Sequence, residues 1–142
     1  YDGRLPATRL QAGVQEALGL PAMVDIMQRL YVGGLTRAEV AGLAGLVLEA
    51  ARQGDAAAQG LIEQGARELA RCVAAVQQRL GLEDACEVAL VGGLTQAGPV
   101  YLDPLRAALG AVLPAARVTL AEQEPAVGAA LLAWQSLSEL AR

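Results

Sequence analysis

Apolar side chains recur every three or four positions through the first half of the chain, a spacing that predicts amphipathic helices up to about residue 81. Thr8 and Gln11 have the spacing of a capping box at the start of the first helix, and Gly19 stands where that helix should end. Pro21 opens a second, shorter helix, which Gly33-Gly34 interrupts. This end of the chain is therefore predicted to be helical.

Two stronger helix-start signals follow. Thr36 and Glu39 form a fuller capping box, for a helix predicted to continue to Gly54. Asp55 is a favourable N-cap for the longest helix, at about Ala56 to Leu80. The apolar residues of that helix form a narrow seam, which we call the long-helix seam: Ile62, Ala66, Leu69, Val73, Val76 and Leu80. Such a seam has to pack against a sheet or against other helices.

The periodicity changes after the long helix and indicates a βαβα unit. Glu87–Val91 and Arg117–Ala121 are short and rich in β-branched residues, as expected of strands. Asp103-Pro104 predicts the start of the helix between them, and Glu124-Pro125 the start of a final helix. The two strands should be parallel with a right-handed crossover, preceded by four helical segments. The chain thus reads as one segment, with a helical region at 1–81 and a βαβα unit at 82–142.

Two parallel strands do not make an independent sheet, because parallel sheets are normally multi-stranded and covered on both faces. The predicted fold class is therefore α/β, with this chain as part of a larger domain. Apolar surface and open strand edges left by the missing strands should drive self-association. We expect a homo-oligomer when the chain is produced alone.

The amino acids that the chain lacks narrow its chemistry. It contains no His and no Lys, which excludes imidazole-based triads, P-loop lysines and Schiff bases. The formal net charge is −4, whereas nucleic-acid binding usually needs a basic patch, so no nucleic-acid partner is expected. Cys72 and Cys86 are too few for a zinc cage and are expected to be reduced and mostly buried.

The pattern of apolar residues also indicates where in the cell the protein is expected. The longest apolar stretches, Val40–Leu48 and Pro125–Trp134, fall well short of the ~20 residues that a bilayer core requires, so no membrane association is expected. The first four residues, Tyr1-Asp2-Gly3-Arg4, do not resemble a secretory signal. A cytoplasmic location is the resulting expectation.

Gly92-Gly93, directly after the first strand, is the local pattern with a ligand-binding rationale. Ligands of open parallel sheets bind at the carboxyl ends of the strands, and glycines there let the backbone approach a flat ligand closely. The alternative is that the two glycines only turn the chain. The carboxylate pairs Glu83-Asp84 and Glu122/Glu124 are typical of caps and solvated loops, and Tyr101 and Trp134 of core anchors. We predict no catalytic residue and no metal site.

Five segments, in this order and spacing, resemble the N-acetylglucosamine kinase and BadF/BadG-type ATPase family. They are residues 31–44 (YVGGLTRAEVAGLA), 50–55 (AARQGD), 88–94 (VALVGGL), 98–106 with Gly98-Pro99 and Asp103-Pro104-Leu105-Arg106, and 125–133 (PAVGAALLA). The resemblance covers almost the whole chain, and the order of the segments carries more weight than any one of them.

The resemblance implies the helix-rich C-terminal part of an actin-like ATPase (ribonuclease H-like) lobe, with ATP and Mg²⁺ bound in a cleft between two lobes. It implies that Gly92, Gly93 and Leu94 bring their backbone against the adenosine. The family's Asp-x-Gly-x-Thr phosphate loop, catalytic aspartate and sugar-binding segment have no counterpart here, since Asp2-Gly3 is not followed by that pattern. An amino sugar would bind through that missing part, and this chain alone should be inactive.

Two alternatives stay open at this point. One is a BadF-type ATPase that activates a radical dehydratase through a [4Fe–4S] cluster, although neither Cys72, within the long helix, nor Cys86, at the start of a strand, resembles a cluster ligand in its context. The other is a non-catalytic helical interaction module that dimerises through the long-helix seam.

Overall fold

The computed structural model describes residues 8–121 and 125–140. In chain order its elements are α1 (Leu10–Leu18), α2 (Met23–Gln28), α3 (Arg37–Gly42), α4 (Ala44–Arg52), α5 (Ala56–Leu80), β1 (Glu87–Leu90), α6 (Pro99–Val112), β2 (Arg117–Leu120) and α7 (Pro125–Leu140). A π-helical turn at Arg29–Gly33 follows α2, and a 3₁₀ turn at Gly93–Ala97 joins β1 to α6. The fold is α/β and rich in helix.

The two strands pair in parallel, as the sequence predicts. The register aligns Glu87 with Arg117 and Leu90 with Leu120, and each strand ends one residue before its predicted end. The first aligned pair also forms an exposed ion pair, with 3.3 Å between Arg117 Nη2 and Glu87 Oε1. A pair so exposed adds little stability, so the register depends on the backbone ladder and on the packing of Val88, Leu90 and Val118 against α5 and α6.

Alanines on one face of α5 form the centre of the core. Ala58 and Ala66 are 0% exposed and Ala70 is 1% exposed. The N-terminal half of α5 packs against the end of α4, and its middle packs against α6. The buried residues of the two clusters are Ala50, Ala51, Ala58 and Ile62 in the first, and Ala66, Ala70, Leu105 and Leu109 in the second. Tyr101 packs against both clusters, which confirms it as a core residue.

The predicted burial of the long-helix seam is only partly right. Ile62 and Ala66 are buried, but Leu69 is 46%, Val76 54% and Leu80 65% exposed. The buried face runs instead through the alanines, because their small side chains let α4 and α6 approach the backbone of α5 closely. Apart from Ile62, which is buried against α4, the larger side chains of the seam therefore lie beside that contact and not in it.

Local capping signals account for several helix boundaries. Thr36 Oγ1 accepts from the Glu39 amide at 3.2 Å, and Glu39 Oε2 accepts from the Thr36 amide at 2.8 Å, which confirms the capping box. Asp55 caps α5 by accepting from the Ala58 amide at 3.0 Å. The helix expected to run from Thr36 to Gly54 is divided at Leu43 into α3 and α4, so five α-helices, not four, precede β1 in the described part of the chain.

One predicted capping box and one predicted helix start are wrong, for different reasons. Thr8 does not form a capping box with Gln11, because its hydroxyl donates to the Asp55 carboxylate at 2.9 Å and accepts from the Leu10 amide. Helix α6 begins at Pro99 and not at Asp103-Pro104, since Gly98-Pro99 already supplies a helix start with proline in its first turn. Pro104 therefore lies inside α6, where it has no amide hydrogen to donate to the carbonyl one turn earlier.

The final helix exposes a row of apolar side chains: Val127, Leu131, Leu132, Trp134 and Leu137. Trp134 is 73% exposed and is not the core anchor that the sequence predicts. Cys72 is also exposed, contrary to expectation, while Cys86 is half-buried. Glu122 and Glu124 lie outside the described residues, although α7 does begin at Pro125 as expected. Within the described ranges, no helix combines the length and the hydrophobicity needed to cross a bilayer.

Asp55 links the starts of two helices, which leads to a test of stability. The Arg9 amide, followed by the Ala58 amide, holds the pKa of Asp55 below its ordinary value of 3.8. The stabilisation is therefore fully present above pH 3.8 and is lost as the pH falls through the lower pKa of the folded state. We expect Asp55→Asn to lower Tm by several degrees at neutral pH, because one amide oxygen cannot serve donors from Thr8, Arg9 and Ala58.

Thermal melts of both proteins at a series of pH values measure this effect. The difference in Tm should shrink in acid as the wild-type carboxylate becomes protonated. Asp103→Asn, at an exposed position of α6, is the matched control and should melt like the wild type. Equal Tm values for wild type and Asp55→Asn at neutral pH would contradict the role assigned to the carboxylate.

The exposed face of α7 leads to a second test, for which Trp134, the one tryptophan of the chain, is the probe. We expect the chain produced alone to self-associate and to bind the dye ANS, because contiguous apolar surface favours association. Tryptophan emission should shift to shorter wavelength as concentration rises. Leu132→Arg should weaken both effects. A monodisperse monomer with concentration-independent emission and no ANS binding would contradict the expectation.

Candidate functional site

The backbone leaves β1 in a conformation that is available almost only to glycine. Gly92 has φ 111° and ψ 166°, a region in which a side chain collides with its own backbone. Gly93 has no positive φ and begins the 3₁₀ turn. The chain therefore changes direction at Gly92, directly after β1, and enters the 3₁₀ turn at Gly93.

Each end of the turn is held by a hydrogen bond. At the near end, Gly92 O accepts from the Thr95 amide at 3.1 Å and from Thr95 Oγ1 at 2.7 Å. At the far end, the Arg52 guanidinium donates to Ala97 O at 3.0 Å. Gly98, with φ 72° and ψ −152°, then redirects the chain into α6.

A cleft of about 390 Å³ opens beside this turn. The predicted site residues Gly92, Gly93 and Leu94 all line it. The remaining lining residues come from α5, the end of β1, the turn and α6: Leu69, Val73, Ala89, Leu90, Val91, Thr95, Tyr101, Leu105 and Leu109. Among the described residues, no carboxylate or guanidinium belongs to this lining, so the cleft suits a flat, largely apolar group and not a charged one.

The two glycines differ in what requires them. A Cβ built on either one would meet no atom within 4 Å, so packing within the described chain demands neither glycine. The positive φ of Gly92 is sufficient to explain why a glycine stands at position 92. Nothing in the backbone or the packing accounts for Gly93, whose missing side chain leaves the cleft open at the strand end.

The walls of the cleft were not predicted from the sequence. Leu69 and Val73 belong to the predicted long-helix seam, and that pattern does not show that they lie next to β1; in the structure Leu69 is exposed and Val73 is half-buried. Arg52 gave no signal, because its partner is a backbone carbonyl 45 residues away.

The other candidate groups have structural roles. Glu39, like Asp55, has a lowered pKa, and its main cause is the hydrogen bond from the Thr36 amide of the capping box. Asp84 accepts from Gln77 Nε2 at 3.3 Å. Among residues 8–121 and 125–140, no three His, Cys, Asp or Glu side chains come together as metal ligands would.

A second, more open hollow of about 410 Å³ lies between α2 and the π-helical turn. Its two charged side chains are already engaged. Asp25 accepts from the Ala22 amide at 3.0 Å, and Arg29 lies 3.4 Å from Glu39 Oε1. The cleft at Gly92 is therefore the stronger candidate.

Comparisons with known proteins agree with the resemblance drawn from the sequence. The model of the BadF/BadG/BcrA/BcrD ATPase family matches residues 1–133. An N-acetylmuramic acid/N-acetylglucosamine kinase of Clostridium acetobutylicum is 30% identical over 139 residues, which cover 94% of this chain and 44% of that kinase. The chain thus spans less than half the length of the kinase it matches.

The different requirements at the two glycines predict different effects on stability. Gly92→Ala should lower the free energy of unfolding by roughly 1–3 kcal/mol, because alanine is strained at the observed φ and ψ. Gly93→Ala should change it by no more than about 0.5 kcal/mol, as at an ordinary surface position. Urea unfolding of the two variants measures the difference. A loss of unfolding free energy for Gly93→Ala as large as that expected for Gly92→Ala would show that the fold needs both glycines.

Proposed function

The chain belongs to the BadF/BadG/BcrA/BcrD ATPase family, and on that premise we propose that it forms the adenosine side of an ATP site in an amino-sugar kinase. The observation that carries the proposal is the cleft at the carboxyl end of β1, where Gly92, Gly93 and Leu94 form one wall. Ligands of open α/β sheets bind at this end of the strands. The volume of about 390 Å³ lies within the range of roughly 300–1,000 Å³ that is common for small-molecule pockets.

The lining of the cleft supports adenosine over the phosphates as its occupant. Apolar side chains from α5 and α6 face glycine backbone across the opening, so a flat ring can lie between them. Its binding would remove water from no charged side chain among the described lining residues. Thr95 and Tyr101 are the lining residues that carry hydroxyl groups. The Thr95 hydroxyl already donates to Gly92 O, so it can serve a ligand only as a hydrogen-bond acceptor. Among the described residues that line the cleft, a triphosphate would find no positive side chain.

The phosphates and Mg²⁺ would then be bound by other parts of the protein. Phosphoryl transfer proceeds mainly by positioning and electrostatic stabilisation, and Mg²⁺ supplies charge neutralisation on the phosphate oxygens when bound. The residues of this chain act before that step. They bind and orient the base, exclude water from its faces and so fix the direction in which the phosphates leave the cleft.

The substrate and the wider fold form the finer part of the proposal. The kinase from Clostridium acetobutylicum is named for two amino sugars, and we extend that substrate class to the protein that contains this chain. The contacts to the sugar would lie outside the described residues. In the described chain β1 pairs only with β2, which fits the C-terminal part of an actin-like lobe whose further strands would extend the sheet from β1.

The proposal predicts the effect of bulk at the strand end. Gly92→Val or Gly93→Val in the full-length protein should weaken ATP affinity at least about tenfold, or about 1.4 kcal/mol, with the affinity for the amino sugar nearly unchanged. Gly93→Val is the more informative variant, because the fold itself leaves room for a side chain there. Titration calorimetry with ATP and with the sugar measures both affinities.

Gly110→Val is the matched control, since Gly110 is exposed on α6, does not line the cleft and also has no atom within 4 Å of a built Cβ. Its ATP affinity should equal that of the wild type. Wild-type ATP affinity for Gly93→Val, at an unchanged Tm, would show that the glycines only turn the chain.

A further inference from the structure

We infer that Arg52 is a positioning residue for the cleft: from the end of α4 it holds the turn Gly93–Ala97 in the place where that turn forms a wall. The inference rests on the proposed nucleotide site for its functional consequence. Its structural part concerns one hydrogen bond, between the guanidinium and Ala97 O at 3.0 Å.

The turn needs an external restraint because both of its ends are glycine hinges. Gly92 before it has φ 111°, and Gly98 after it has φ 72°. Glycine has more backbone freedom than any other residue, so neither hinge limits the path of the turn by itself. Five residues between two such hinges can shift as a unit unless something outside the turn holds them.

Arg52 provides that restraint at the far end. Thr95 closes the near end of the turn internally through Gly92 O. Within residues 8–121 and 125–140, the contact from Arg52 is the one side-chain hydrogen bond that joins the turn to an element other than its neighbours in sequence. Hydrogen bonds from charged donors such as a guanidinium are among the stronger ones in proteins.

The backbone of Arg52 is itself firmly placed. Ala50 and Ala51, the two residues before it, are buried at 7% and 3% exposure against Ala58 and Ile62 of α5. Glu49, one turn earlier on α4, lies 3.5 Å from the guanidinium in an exposed ion pair, which adds little. A cation in the last turn of a helix often serves only that helix's own carbonyls. Here the guanidinium instead reaches a carbonyl 45 residues further along the chain.

The consequence for binding is preorganisation. Leu94 and Thr95 are turn residues that line the cleft, so a loose turn would have to be ordered each time a nucleotide binds. That ordering cost reduces affinity without removing any contact to the ligand.

The test compares three variants in the full-length protein. Arg52→Met keeps the length of the side chain and removes the donors, and Arg52→Lys restores a charged donor. Glu49→Gln is the control, because it removes the ion pair on α4 but leaves the bond from Arg52 to Ala97. Two quantities are measured: amide hydrogen exchange of residues 93–98 without ligand, and ATP affinity by calorimetry.

Arg52→Met should speed exchange in the turn by about fivefold, with α4 and α5 unchanged, because one charged hydrogen bond restrains this segment. It should also weaken ATP binding about threefold to tenfold. Arg52→Lys should recover part of both effects, and Glu49→Gln should resemble the wild type.

Unchanged exchange in Arg52→Met would overturn the inference whatever the ATP affinity. Faster exchange with wild-type ATP affinity would overturn the claim that the restraint serves binding. If the wild type itself does not bind ATP, the proposed function fails, while faster exchange in Arg52→Met would still support the restraint of the turn. Faster exchange that extends through α4 would indicate a general loss of stability and would count against the inference.

Discussion

The close contact of α5 with α4 and α6 is the constraint on which the rest of the structure depends. It exists because alanines occupy the buried face of α5, so that neighbouring helices can approach its backbone. Larger side chains there would push α4 and α6 outward. Both flanks of the turn after β1 would then move apart, since α6 continues that turn and α4 carries Arg52. The geometry of the cleft is thus set by small residues that do not line it.

The parts of the fold that could be predicted from sequence are those decided by near neighbours. The capping box of Thr36 and Glu39 involves residues three positions apart, and Asp55 caps the helix that begins directly after it. The parallel pairing of the strands was also predictable, because the order strand, helix, strand allows little else. In each case the deciding interaction is local or is imposed by connectivity.

The errors lie where a distant partner decides. Thr8 has the capping-box spacing to Gln11, but its hydroxyl donates to the carboxylate of Asp55, 47 residues away, and accepts from the Leu10 amide. The hydrophobic pattern of α5 indicates the bulkier seam, whereas close packing selects the alanine face next to it. For the cleft, the strand-end rule pointed to Gly92 and Gly93, since it depends only on where β1 stops, and the family resemblance added Leu94. The walls from α5 and α6 could not be placed without knowing how the helices pack.

The backbone angles of Gly92 have a consequence for the history of such a chain. Under the proposed function, the two neighbouring glycines are constrained in different ways: the first by its own backbone angles, the second by the ligand that enters the cleft. A descendant that ceased to use its ligand would still retain the first glycine, because losing it destabilises the protein itself. The second would be free to drift. The amino acid found at position 93 in such a lineage would then record whether the cleft is still in use.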